Sequence, residues 1–100
     1  MSRILRIGGA CLNQIPMDWE HNLKNIKDVF QEAQENNIEL LCLPELCITG
    51  YGCEDMFLST WLCETAQAKL IELLPFTSGL TTCLGLPVRF NGQIYNCIAI

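Results

Sequence analysis

Basic residues are scarce in this chain, with six Lys and Arg against eleven Asp and Glu and a formal net charge of −5. The six are scattered and form no patch, which argues against nucleic acid as a partner. Histidine occurs once, at His21, and no Cys-x-x-Cys pair is present, so no zinc site is expected. Long apolar runs are missing too. No stretch approaches the roughly 20 residues that a membrane-spanning helix requires. The short apolar run before Gly8-Gly9-Ala10-Cys11 is interrupted by Arg6 and cannot serve as a lipoprotein signal. No membrane partner is expected. Gly8-Gly9 lacks the Gly-x-Gly-x-x-Gly spacing of a dinucleotide-binding turn. Repeats, low-complexity segments and linkers are also absent.

Cysteine, by contrast, is plentiful, with seven in the chain. In a small secreted protein such a count suggests a disulfide framework. Here the number is odd, and Cys11, Cys42, Cys83 and Cys97 sit within apolar strand-like runs, where a free cysteine behaves as a small hydrophobe. A reducing, cytoplasmic setting is the expectation. One hundred residues, half of them hydrophobic, suit one small domain with enough apolar content for a core.

The pattern along the chain predicts the order β-α-β-α-β-β, an α/β fold. Residues 3–12 read as a first strand. Asp18 suits an N-cap, and from it Trp19, Leu23, Ile26, Phe30 and Ala33 recur at steps of four and three, one apolar helical stripe. Glu20 and Lys24 are placed to pair on the opposite side, and Asn36-Asn37 supplies the left-handed conformation of a helix end. A strand over 38–43 follows. A second helix over roughly 57–74 carries Leu58, Trp61, Leu62, Ala66, Leu70, Leu73 and Leu74. Residues 81–88 form a third strand, and Asn91-Gly92 predicts a tight hairpin into a fourth over 93–100. Tyr95-Asn96-Cys97-Ile98-Ala99-Ile100 ends the sequence in mid-strand without a polar tail, and the expectation is a chain cut short within a larger domain.

The most informative stretch is residues 38–55. Ile38, Leu40, Leu41, Cys42 and Leu43 are nearly continuously apolar, as in a strand covered on both faces. Pro44 stops the hydrogen-bond ladder, and Glu45 stands where the strand leaves the sheet, the place where open α/β sheets collect their chemistry. A carboxylate walled there by apolar residues suits a general base; an ordinary solvated glutamate is the alternative. Gly50 and Gly52 are expected to provide torsions that the following turn requires. Cys53-Glu54-Asp55 and Cys63-Glu64 bring thiols beside acids, but nothing supplies a cation to activate them, and both cysteines are expected to be structural. Glu54 and Asp55 suit a helix start. His21 is expected to be an exposed helix residue, and Trp19 and Trp61 to belong to the core.

Pro44-Glu45, followed after four residues by Gly50-Tyr51, resembles the first motif of the nitrilase (carbon–nitrogen hydrolase) superfamily. The longer run Leu-Pro-Glu-Leu-Cys-Ile-Thr-Gly-Tyr-Gly-Cys-Glu-Asp, residues 43–55, is similar to the glutaminase domain of glutamine-dependent NAD synthetases. Asn13-Gln14, Asp18-Trp19 and Asn22 upstream, and Gly85-Leu86-Pro87 and Tyr95-Asn96-Cys97 downstream, fit the same family. The resemblance implies a partial nitrilase-like α-β-β-α sandwich. Both helices would lie on one face of the sheet, and the second sheet would be incomplete, leaving apolar strand surface exposed or covered by a partner chain.

The same resemblance implies the site. The family uses a cysteine nucleophile, a glutamate base and a lysine for the oxyanion. Only the glutamate maps here, onto Glu45, and the lysine and cysteine motifs fall beyond Ile100. Tyr51 would line the glutamine pocket; otherwise it is a half-buried packing tyrosine. The Cys-Glu-Asp at 53–55 mimics the family's nucleophile signature but follows a loop instead of ending a strand. The implied partner is glutamine, with deamido-NAD and ATP reached through a separate synthetase domain. ATP and Mg are expected for the full-length enzyme and no cofactor for these residues, and a homo-oligomer is expected. A stand-alone amidase of the superfamily, or a non-catalytic fragment, are the alternatives.

Overall fold

A computed structural model describes residues 3–100. It contains strands β1 (Ile7–Gly9), β2 (Leu40–Cys42), β3 (Thr81–Phe90) and β4 (Gln93–Ala99), and helices α1 (Trp19–Glu35) and α2 (Thr60–Leu73). The strands form one four-stranded sheet in the order β1-β2-β3-β4. β1, β2 and β3 run parallel, and β4 returns antiparallel to β3. The β-α-β-α-β-β order is the expected one, and no helix among the described residues is long and apolar enough to cross a membrane.

Both helices lie on one face of the sheet. Leu23, Ile26, Phe30 and Ala33 of α1 meet Ala66 and Leu73 of α2 over Leu41, Leu84 and Leu86 of the strands in one buried cluster. Trp19 and Trp61 meet edge to face at 6.2 Å where the two helices begin, a favoured aromatic geometry. The other sheet face is largely uncovered: Ile7, Ile98 and Ile100 are 66%, 68% and 90% exposed. Alternation along the strands explains this, because Leu84 and Leu86 point to the helices while Ile98, opposite Gly85, points away.

The element ends differ from the sequence expectation for local reasons. Of residues 3–12, only Ile7–Gly9 pair as a strand. After the Ala10 amide bonds to the Cys42 carbonyl at 3.1 Å, the chain leaves the sheet, and Met17 N–H bonds instead to the Thr49 carbonyl at 2.8 Å. The helix expected over 57–74 is interrupted: a 3₁₀ segment, Glu54–Leu58, precedes it, and Ser59 caps α2 through its hydroxyl and the Leu62 amide, at 3.2 Å. Pro75 then ends α2 in a short 3₁₀ turn, Leu74–Phe76, because proline has no N–H to continue the ladder. Asp18 caps α1 by accepting from His21 N–H at 3.2 Å, and Asn37 takes φ 58° at its end, both as expected. Lys24 pairs with Asp28 at 2.7 Å and not with Glu20, a choice between two acids each four residues away.

Candidate functional site

The site begins where β2 stops. Leu43 N–H makes the final bond toward β3, to the Cys83 carbonyl at 2.9 Å. Pro44 cannot donate, and Leu46 adopts φ 51°, so the chain turns sharply at Glu45. The turn lies directly on β3. A Cβ built on Gly85 would sit 2.3 Å from Leu46 N and 2.9 Å from Glu45 Cα, so only glycine permits this approach. Ile48 N–H then bonds to the Gly85 carbonyl at 3.4 Å. Glu45 is thus set by a proline, a left-handed residue and a backbone-to-backbone contact.

Its exposed carboxylate sits beside a pocket of about 270 Å³, lined by Leu43, Pro44, Gly85, Asn96, Cys97 and Ile98. Oε1 accepts a hydrogen bond from Asn96 Nδ2 on β4. The apolar walls expected from sequence are present in Leu43, Pro44 and Ile98, while the glutamate itself stays accessible. Tyr51 is 70% exposed and is not among the residues lining this pocket. Among the described residues the ring is thus neither half-buried nor part of the pocket wall.

The loop beyond Glu45 is held from behind by a polar bracket whose two residues the sequence offered only as matches to the family, with no role assigned. Asn22 is fully buried on α1. Its Nδ2 donates to the Ile15 and Ile48 carbonyls at 2.8 and 3.1 Å, and its Oδ1 accepts from Ile15 N–H at 2.9 Å. Gln14 Nε2 donates to the Cys47 and Asn22 carbonyls at 2.8 and 3.1 Å. The available signal was an asparagine four residues before Ile26, on the apolar stripe, where a polar side chain needs a reason. Asn22→Leu is expected to lower stability by about 3 kcal/mol, since it leaves the buried Ile48 carbonyl and the part-buried Ile15 N–H and carbonyl unpaired. Denaturant unfolding measures this, and an unchanged midpoint would remove the bracket from the account.

Gly50 is required by the same contact: it takes φ 83°, and a Cβ there would meet Pro16 N at 2.8 Å. Gly52, expected to provide a special torsion too, has no positive φ and only an ordinary approach of Pro16 Cγ at 3.4 Å. His21, expected to be an exposed helix residue, is half-buried on α1, with its Nε2 2.8 Å from the Asn13 carbonyl and 3.1 Å from Asn25 Nδ2.

Cys47, Cys53 and Cys63 behave as structural groups. Cys53 is buried, and its Sγ donates to the Thr49 and Gly50 carbonyls at 3.4 and 3.5 Å. Burial pushes its thiol upward, and does the same for Cys63. Cys47, fixed against the Gly85 carbonyl, is pushed up to about 11 by burial. A nucleophile needs the opposite shift. Neither Cys53 nor Cys63 lines the Glu45 pocket. Glu54 and Asp55 are exposed in the first turn of the 3₁₀ segment.

Residues 6–100 match the sequence pattern of the carbon-nitrogen hydrolase family. The chain is 38% identical over 97 residues to a glutamine-dependent NAD(+) synthetase of Oryza sativa subsp. indica, covering 95% of this chain and 13% of that protein. The crystal structure of a glutamine-dependent NAD(+) synthetase from Cytophaga hutchinsonii superposes with a TM-score of 0.92 at 55% identity, over 94% of this chain and 16% of that one. An amidase from Nesterenkonia sp. superposes with a TM-score of 0.74 at 28% identity, over 83% of this chain and 32% of that one. The chain thus spans a small part of the length of the relatives it matches.

Proposed function

From a chain that belongs to the carbon–nitrogen hydrolase family, we propose the N-terminal part of a glutaminase domain that serves a glutamine-dependent NAD synthetase. The observation that carries this reading is Glu45, accessible beside an apolar-walled pocket at the carboxyl end of a parallel strand. The 55% identity to the Cytophaga hutchinsonii synthetase, against 28% to the Nesterenkonia amidase, favours the synthetase over a stand-alone amidase.

In this reading Glu45 is the general base. It takes the proton of a cysteine thiol supplied by the rest of the domain, and the thiolate attacks the side-chain amide carbon of glutamine. The carbon–nitrogen bond breaks, the proton held by Glu45 leaves with ammonia, and a glutamyl thioester remains. Water, deprotonated by Glu45, hydrolyses the thioester to glutamate and returns the thiol. A lysine outside these residues stabilises the oxyanion, and Tyr51 lines the glutamine pocket once the domain is complete. Ammonia then amidates deamido-NAD in an ATP-dependent domain. Among the described residues no three His, Cys, Asp or Glu side chains group so as to hold a metal ion.

The 100-residue chain by itself is expected to release no ammonia from glutamine, because a carboxylate without a nucleophile cannot form the acyl intermediate. Ammonia release measured against a heat-inactivated control checks this. Turnover that disappeared on Cys53→Ser would make that buried cysteine the nucleophile and overturn the assignment.

A further inference from the structure

The bond between Glu45 and Asn96 joins residues 51 positions apart, and nothing in the proposed reaction so far uses its donor. Asn96 is exposed on β4. Asparagine is a poor strand former, so an exposed asparagine in mid-strand breaks a local preference without a packing gain. Among the described residues its side chain has one hydrogen bond, the one to Glu45.

The fold puts considerable structure behind that contact. Asn91 and Gly92 take φ 50° and 75°, a two-residue turn of the type that matches hairpin twist, and it closes the Phe90–Gln93 pair. Counting back from the turn, hydrogen-bonded and non-hydrogen-bonded pairs alternate. Pro87, opposite Asn96, therefore falls at a non-hydrogen-bonded position, where its missing N–H costs the ladder nothing. Side chains are closest in such pairs, and Pro87 is fully buried. The asparagine thus stands beside a rigid ring. Two residues along β3, Gly85 admits the Glu45 backbone. One hairpin fixes both the donor and the seat of the carboxylate.

We infer that Asn96 is a positioning residue for Glu45: its amide N–H holds Oε1 and leaves Oε2 as the oxygen that carries the proton. This rests on Glu45 being the base. An ionised carboxylate only accepts hydrogen bonds, so chemistry fixes the asparagine orientation as Nδ2 toward Glu45. A free glutamate rotates through a broad terminal torsion that exchanges its two oxygens. Held by Asn96, it presents one.

The test uses the full-length synthetase that carries these residues, assayed with glutamine and, separately, with ammonia. Asn96→Ala and Asn96→Asp both remove the donor. Each is expected to lower kcat with glutamine by about 10- to 100-fold, the usual worth of a hydrogen bond to a charged group. KM for glutamine and ammonia-dependent synthesis should stay near their parent values. In a Glu45→Gln background, Asn96→Ala should cause no further loss, since residues acting through one another are not additive. Three results overturn the inference. Asn96 variants with unchanged kcat, beside a crippled Glu45→Gln, remove Asn96 alone. Equal losses with glutamine and ammonia make it a folding residue. An active Glu45→Gln removes the base and its positioning residue together.

Discussion

Gly85→Ala is expected to cost about 1–3 kcal/mol of stability, the range for forcing atoms into a filled space, and to reduce glutamine turnover in the complete enzyme by about 10²-fold. The added methyl would stand 2.3 Å from Leu46 N and 2.9 Å from the Glu45 carbonyl carbon. Those are backbone atoms, so no rotamer change relieves the clash, and the turn carrying the carboxylate must lift off β3. Misplacing a catalytic group by about 1 Å is enough for a loss of that order. Gly9→Ala is the control, because a Cβ there meets nothing within 4 Å. Urea unfolding of both variants, with the slope unchanged, measures the first effect. A Gly85→Ala protein as stable and active as Gly9→Ala would mean that the turn is not seated on β3.

Much of this architecture follows from local pattern. The stripe of α1, its Asp18 cap, the Asn91-Gly92 turn and the parallel strand leading to Glu45 are each specified by residues within a few positions of one another. They are found where expected. The exposed sheet face was expected from the family resemblance, and it is found with Ile7 and Ile98 alternating with residues that face the helices.

The rest depends on contacts between distant segments. β1 does not continue past Ala10, and beyond it the chain is held off the sheet by the bond between Met17 and Thr49 across the loops. The split before α2 was local but outweighed by its apolar residues, which continued through the Ser59 cap. Asn96 and Gly85 lay in segments that fit the family resemblance, but their contact with Glu45 depends on the fold bringing both strands to it. Asn22 entered only through the family resemblance, and its burial depends on the carbonyls of two loops it clamps.

The largest catalytic effect is expected at Glu45 itself. Glu45→Gln keeps the size of the side chain and an amide oxygen able to accept from Asn96 Nδ2, so the turn should remain intact. In the proposed reaction it removes the group that takes the thiol proton and delivers a proton to departing ammonia. General acid–base catalysis is typically worth about 10²–10⁴ in rate, and glutamine-dependent NAD formation should fall by at least about the lower figure. Ammonia added directly bypasses amide hydrolysis, so synthesis from ammonia should persist near the parent rate.

The decisive measurement is therefore NAD formation by the full-length Glu45→Gln enzyme with glutamine and with ammonia, each relative to the parent. The account predicts a glutamine rate lowered at least about 10²-fold beside a preserved ammonia rate. An undiminished glutamine rate would make Glu45 an ordinary solvated carboxylate, and equal loss of both would make it a residue of folding or domain coupling.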